Sequence, residues 1–184
     1  MRRMARGRLE YFYFCKKYGR DDHGHWLFSV TQDGRPLQSQ SIYSDAFAIY
    51  GFTELGRASG DKEPLELALE TAWEVERRLA KPGSYETEPF PNPPASKGHG
   101  VAMLFTSVFD ELGNFLDDTR LLEIADYLAY EVMQNFRRLD KQLIYGYLNY
   151  DNTLIDSPQG RVIIDGHVIE SMWFMIHHYR RANN

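Results

Sequence analysis

Apolar residues recur at helical spacing in six segments of this chain. The segments cover residues 8–18, 41–58, 64–80, 100–115, 119–138 and 167–180. Between Pro64 and Ala80, for example, Leu65, Leu69 and Ala72 repeat every three or four residues, and a helix accepts proline in its first turn. The pattern therefore predicts a mostly helical chain of amphipathic helices.

The last predicted helix, from His167 to Arg180, has its own apolar face. This face is predicted to point inward, and its members are Ile169, Met172, Trp173 and Ile176. Because they lie three or four residues apart, they fall on one side of a helix. Trp173 is accordingly expected in the core rather than as a platform for a sugar ring.

Short extended pieces with turn residues lie between the predicted helices. Trp26–Val30 followed by Gln32–Arg35 predicts a β-hairpin. Leu143–Asn149 and Val162–Ile164 are predicted to form a second strand pair. The proline-rich stretch Glu86–Ser96 predicts an irregular loop.

The order of these elements suggests stacked helical hairpins. A helix pair occupies about 40 to 60 residues and is followed by a loop or a small hairpin, as in toroids and solenoids. No change in composition marks a linker, so residues 1–184 are predicted to form a single domain. A toroid of such units closes only when its last hairpin meets its first.

Charge and composition exclude several classes of protein. The 184 residues carry a net charge of -5 with a pI near 5.7, which leaves no basic field for a nucleic acid. No apolar run reaches the roughly 20 residues that span a membrane, and the start lacks a secretory signal. The single cysteine, Cys15, excludes an internal disulfide and suits a reducing compartment, so a cytoplasmic location is predicted.

The stretch from Gly160 to Trp173 carries the most informative motif. It reads G-R-V-I-I-D-G-H-V-I-E-S-M-W and resembles the G-R-x-x-N-P-G-H-x-x-E-x-x-W signature of the N-acylglucosamine 2-epimerase family. Asp33–Leu37 followed by Ile42–Ala48 resembles the family's D-G-R-P hairpin and next helix, and Lys97–Met103 lies where the family enters another inner helix. One departure is Ile164-Asp165, which replaces the family's Asn-Pro before Gly-His.

The resemblance implies an all-α fold, a partial (α/α)6 barrel of helical hairpins with short β-hairpins in its loops. Residues 1–184 would correspond to the central half of that barrel. The family's first helices, with an arginine that contacts substrate, and its last helices, with a second catalytic histidine, would lie outside. A helix so soon after Met1 fits a truncated gene or an isolated fragment. In a half-barrel, exposed apolar edges predict a homodimer or poor solubility.

The family's chemistry is sugar 2-epimerisation or isomerisation, here expected on an aldose such as an N-acylhexosamine. Epimerisation at C2 needs the open-chain aldehyde, because only then is the C2 proton acidic. One group removes that proton and another returns one from the opposite face, whereas an aldose–ketose isomerase returns it to C1. Both routes are general acid–base chemistry, which requires no metal and no redox cofactor.

His167 is the predicted acid/base, because it would lie at a helix start where the dipole disfavours imidazolium. Glu170, three residues on, would hold the ring in one tautomer. The alternative is that both residues only form a local cap. Arg161, Tyr43 and Lys97 are the predicted substrate-binding residues. Their alternatives are a salt bridge for Arg161, core packing for Tyr43 and a solvated side chain for Lys97.

Other histidines receive less weight. His99 stands where the cellobiose 2-epimerase branch has a histidine, but the surrounding His-Leu-His pattern is absent, which favours the N-acylglucosamine branch. His23 and His25 offer two ligands without a third nearby, so no metal site is predicted. Two other functions stay open: an inactive barrel fragment that binds sugars or partners, and a glycoside hydrolase with paired carboxylates.

Overall fold

The structure is a computed structural model that describes residues 2–37 and 40–182, with side chains from Glu10 onward in the first helix. The chain divides into two compact units after Pro91. About 60% of the residues are helical, so the predicted all-α class is confirmed. In the described part of the chain, no helix is both long and apolar enough to cross a membrane. The single domain stays a prediction.

All six predicted helices are present, with ends that differ by a few residues. The first unit contains α1 (Arg2–Tyr18), α2 (Ile42–Ser59) and α3 (Lys62–Leu79). The second unit contains β1 (Ser96–Gly98), α4 (His99–Leu116), α5 (Thr119–Tyr130), β2 (Arg137–Arg138), β3 (Leu143–Ile144), β4 (Tyr147–Asn149) and α6 (Asp165–Ala182). A π-helical segment, Glu131–Phe136, extends α5, and a 3₁₀ turn, Gln159–Arg161, precedes α6.

In the first unit, α2 and α3 form a helical hairpin with a two-residue connection. Gly60 adopts the left-handed conformation at φ 74°, which glycine accepts without strain, and its N–H donates to Gly56 O. The next residue, Asp61, caps α3 by accepting a hydrogen bond from the Glu63 N–H. Pro64 lies in the first turn of α3, as its position in the sequence predicts.

A buried ion pair fastens the two helices of this hairpin to each other. Arg78 Nη2 of α3 lies 2.8 Å from Asp45 Oδ2 of α2, and the two residues are 5% and 1% exposed. Asp45 Oδ1 also accepts the Trp26 N–H at 3.2 Å. Burial raises the pKa of Asp45 despite the opposing effect of the Arg78 charge.

The predicted hairpin after Trp26 turns where expected. The Thr31 N–H donates to Arg35 O at 2.8 Å, and the Gly34 N–H donates to Thr31 O at 2.9 Å. Beyond the turn, the pairing consists of isolated bridges such as Val30 with Pro36. Since proline has no N–H to donate, a regular ladder is interrupted at this position.

In the second unit, α4 packs against both α5 and α6. Asp118 caps α5 through hydrogen bonds from the Arg120 and Leu121 N–H groups at 3.0 and 3.3 Å. The largest fully buried side chains of this unit include Phe105, Phe109, Leu112, Leu121 and Phe136. They form a core centred on α4.

The predicted pairing of Leu143–Asn149 with Val162–Ile164 is wrong. β3 pairs with β2 and β4 pairs with β1, both antiparallel. Val162–Ile164 is not a strand and contributes its Val162 carbonyl as a hydrogen-bond acceptor. Local sequence determines that these segments are extended. The partner of so short a strand depends instead on which backbone segment the tertiary fold places beside it.

The predicted inward face of α6 is also wrong. Ile169, Trp173 and Ile176 are 74%, 55% and 50% exposed. The face that packs is the neighbouring one, and its buried residues are Ser171, Phe174, Met175 and His178. The polar members of that face find partners: His99 lies beside Ser171, and Asp110 and Asp126 lie beside His178. Hydrophobic periodicity alone cannot anticipate such polar contacts.

Candidate active site

Backbone hydrogen bonds link the start of α4 and the segment before α6 to the same residue, Gly146, which lies between β3 and β4. The His99 N–H donates to Gly146 O at 2.9 Å, and the Gly146 N–H donates to Val162 O at 3.0 Å. A Cβ on Gly146 would lie 3.1 Å from Val162 O, so glycine suits this close approach. The N-terminal ends of α4 and α6 are therefore fixed with respect to each other.

His99 is the first residue of α4 and is only 1% exposed. Its Nε2 lies 3.1 Å from Ser171 Oγ, and its ring centroid lies 5.6 Å from that of Phe136. Burial, and secondly the charge of nearby His167, lower the pKa of His99 from 6.5 to about 4. His99 is therefore neutral at pH 7.

His167 lies in the first turn of α6, as predicted. Its ring is half-buried, and its Nδ1 is buried without a hydrogen bond in the described part of the chain. Ser171 is four residues on and so shares a helix face with His167. Because Ser171 contacts His99, and His167 is close enough to shift the pKa of His99, the two imidazoles belong to the same site.

Lys97 is not a solvated lysine, in contrast to the alternative that its sequence context allows. Its Nζ forms an ion pair with Glu131, and the two side chains are 19% and 10% exposed. The same ammonium lies 5.8 Å from the centroid of the Phe136 ring, on which His99 also packs. Asn135 donates a second hydrogen bond to Glu131. Lys97 is thus held against the ring on which His99 packs.

The three other predicted site residues each have surroundings of their own. Arg161 is exposed and lies 3.4 Å from Asp156 Oδ1, which agrees with a surface salt bridge. Glu170 is exposed and does not hold Nδ1 of His167, since that atom makes no hydrogen bond within the described residues. Tyr43, the second residue of α2, is half-buried in the first unit. The roles of all three stay predictions.

Two members of this cluster, His99 and Ser171, were not predicted from the sequence as functional residues. The available signal is a repeated dipeptide: Gly98-His99 and Gly166-His167 both occur where a helix begins. Metal ligation finds no support in the described ranges, where no group of three or more His, Cys, Asp or Glu side chains could hold an ion. The cluster is suited to proton transfer.

Comparison with known proteins identifies the family of this chain. The family model described as N-acylglucosamine 2-epimerase matches residues 3–184. The human N-acylglucosamine 2-epimerase is 26% identical over 161 residues, which cover 85% of this chain and 38% of that protein. A mannose-6-phosphate isomerase from Rhizobium meliloti is 23% identical over 177 residues, which cover 94% of this chain and 45% of the isomerase.

Among solved structures, the cellobiose 2-epimerase from Spirochaeta thermophila is similar with a TM-score of 0.75. It is 28% identical, and the match covers 91% of this chain and 45% of the epimerase. The chain thus spans less than half the length of these relatives. The prediction of part of an (α/α)6 barrel is confirmed. Since the family model matches nearly every residue, the chain belongs to the N-acylglucosamine 2-epimerase family.

Proposed function

We propose that this chain carries an acid/base site of a carbohydrate 2-epimerase or isomerase, with His167 as the group that exchanges a proton with the sugar. The observation that supports this most directly is the His167 ring itself. It stands in the first turn of α6 with a buried nitrogen that makes no hydrogen bond in the described residues, beside a second imidazole.

The two imidazoles have different roles in this proposal. His99 stays neutral at pH 7, since its pKa is about 4, and its Nε2 is engaged with Ser171. It therefore does not compete for the substrate proton, and His167 is the acceptor. His167 takes the proton from C2 of the open-chain aldose, and the electron pair moves onto the aldehyde oxygen to leave an enolate (an enediolate where C2 carries a hydroxyl). A proton is then returned to carbon. Return to C2 from the opposite face gives the epimer.

The proposed substrate is an N-acylhexosamine, such as N-acetylmannosamine or N-acetylglucosamine. The family description and the human relative support this class, and so does the absence of a His-Leu-His pattern around His99. Lys97 is the proposed substrate ligand in the second unit, where its ammonium is held beside Phe136, the ring on which His99 packs. Arg161 and Tyr43 are proposed as further substrate ligands. Glu170, which does not hold Nδ1 of His167, is proposed to act by countering the helix dipole at the start of α6.

The test is exchange of the C2 proton with solvent deuterium, followed by NMR on N-acetylmannosamine, glucose and mannose. We expect exchange with the unaltered chain and its loss in His167→Ala. His177→Ala is the matched control, because His177 is an exposed histidine on the same helix, and exchange should persist. Exchange that survives His167→Ala would refute the role of His167.

Two further outcomes separate the alternatives. A ketose signal alongside the exchange would identify an aldose–ketose isomerase, the class to which the Rhizobium meliloti relative belongs by name. No exchange with any aldose by the folded chain would refute catalysis by this chain. It would favour the alternative of a catalytically inactive module that binds sugars or partners.

A further inference from the structure

Helix α5 changes its geometry at Glu131. From Glu131 to Phe136 the backbone forms the π-helical segment, in which N–H groups donate to the carbonyl five residues earlier rather than four. The N–H of the next residue, Arg137, accordingly donates to Val132 O. Turns of this width are rare, and they are frequent at functional sites. The side chains of the segment show what the wide turn achieves here.

The wide turn brings Glu131 and Phe136 to the same side of the helix. In an α-helix, residues five positions apart lie about 140° from each other around the axis. In a π-helix they are hydrogen-bonded neighbours on successive turns. Both side chains meet Lys97 of β1, since Glu131 pairs with its Nζ and the Phe136 ring centroid lies 5.8 Å from the same atom. A regular α-helix would turn one of the two away from this ammonium.

The carboxylate of Glu131 is nearly buried and bonded at both oxygens. Its Oε2 pairs with Lys97 Nζ, and its Oε1 accepts a hydrogen bond from Asn135 Nδ2, one turn along the same segment. Because the asparagine is neutral, Lys97 is the cation that balances Glu131 among the described residues. A carboxylate that is bonded at both oxygens has a fixed orientation, so it also fixes the ammonium that it holds.

Lys97 gains from this contact because a lysine is otherwise a point charge on a flexible stem. An ammonium has three N–H donors, and Glu131 accepts from one of them. Within residues 2–37 and 40–182, the structure shows no other hydrogen bond from this ammonium. Its other donors therefore remain for the hydroxyl or carbonyl oxygens of a sugar.

We propose that Glu131 is a positioning residue, which holds the Lys97 ammonium against the Phe136 ring and so aims its remaining donors at the sugar. The inference rests on the proposed function, because it takes Lys97 as a substrate ligand. Glu131 itself does not touch the sugar, since both of its oxygens are engaged. Its effect is on affinity, because a donor that is ordered before the sugar arrives loses less entropy on binding.

The alternative is an ion pair that only fastens β1 to the π-helical segment. Such a pair would change the stability of the fold and leave sugar binding by the folded chain unaltered. A positioning residue changes binding as well, and it does so only while Lys97 is present. The two roles therefore differ in KM and in how the two substitutions combine.

The first measurement is the rate of C2 proton exchange against sugar concentration, which gives kcat and KM. Glu131→Gln removes the charge and keeps the shape. We expect KM to rise roughly tenfold with kcat within about twofold, since loss of binding that is equal in the ground and transition states raises KM alone. Asn135→Ala keeps both charges but frees one oxygen of Glu131, and it should raise KM by a smaller factor. Glu123→Gln, at an exposed glutamate of α5, is the matched control and should leave KM unchanged.

A double-mutant cycle shows whether Glu131 acts through Lys97. In a chain that carries Lys97→Met, adding Glu131→Gln should leave KM where Lys97→Met alone puts it, because the ammonium to be positioned is gone. Urea unfolding of each variant reports the stability separately. Titration of the same sugar, followed by NMR, repeats the comparison as an affinity and needs no turnover.

Failure of this inference is distinct from failure of the proposed function. If the unaltered chain exchanges the proton and Glu131→Gln has the same KM, or lowers kcat instead, the positioning role is overturned while the role of His167 stands. Effects of the Glu131 and Lys97 changes that simply add would overturn it as well. If Glu131→Gln does not fold, an unchanged KM in Asn135→Ala has the same consequence. If the chain binds sugar without exchange, the affinities decide in place of KM, and a chain that neither exchanges nor binds overturns both proposals.

Discussion

His99 Nε2 lies 3.1 Å from Ser171 Oγ, and this contact joins the first residue of α4 to the second turn of α6. Both residues are buried. His167 lies one turn before Ser171, so the same contact fixes the end of α6 that carries the proposed acid/base. Substitutions in this buried pair therefore measure how much the contact between α4 and α6 stabilises the site.

Replacing Ser171 by alanine should destabilise the chain by about 1–3 kcal/mol. The reason is that the nitrogen of the buried His99 ring loses its partner and keeps its desolvation cost. Urea unfolding measures the change. The control is a double-mutant cycle with His99→Leu, because alanine and leucine together leave no polar atom unpaired. If the two single changes simply add, the contact does not stabilise the fold as described.

The depressed pKa of His99 predicts a loss of stability in acid. The folded state does not protonate His99 until about pH 4, whereas the unfolded state does so near 6.5. Between these values the unfolded chain binds more protons, so the free energy of unfolding decreases as the pH is lowered. The contribution of His99 to stability is fully present above pH 6.5. The stability that His99 loses between pH 6.5 and pH 4 is roughly 3 kcal/mol.

The measurement is the free energy of unfolding at several pH values from 7 to about 4. In His99→Asn, the profile across this range should become flatter than in the unaltered chain. Other groups titrate here too, so the difference between the two profiles is what reports on His99. Parallel profiles would contradict a buried neutral imidazole at this position.

Lys97→Met should destabilise the second unit by up to about 3 kcal/mol, since Glu131 would keep a nearly buried charge without its cation. Adding Glu131→Gln should recover much of the loss. If Lys97 also binds the sugar, the double variant recovers stability but still shows a raised KM. Lys97→Arg keeps the charge and serves as the conservative control. A KM unchanged in the double variant would remove Lys97 from the substrate site.

Arg78→Met should cost about 3–5 kcal/mol at neutral pH, because it leaves Asp45 charged and buried. Burial already raises the pKa of Asp45, and loss of the guanidinium would raise that pKa further. The folded variant then binds a proton that the unfolded chain does not, so the penalty should shrink as the pH falls. Asp45→Asn in the same chain should relieve it, since asparagine still accepts the Trp26 N–H. A penalty independent of pH would contradict this account.

The sequence predicted where the six helices lie, with ends that differ from the observed ones by up to six residues once the π-helical extension of α5 is included. Apolar spacing located all six helices, and Pro64 lies in the first turn of α3 as expected. The Gly160–Trp173 motif identified the family and put His167 at the start of α6. Each of these features depends on residues within a few positions of one another, which is the range over which periodicity and turn chemistry act.

Tertiary contacts decided what periodicity could not. The partners of β3 and β4, the face of α6 that packs, and the burial of His99 all depend on residues distant in the chain. On α6 two neighbouring rows of side chains were candidates for the core. The row with Ser171 and His178 packs on α4, where its polar groups meet buried partners. Sequence sets which faces of a helix are apolar, but the neighbours supplied by the fold determine which face is buried.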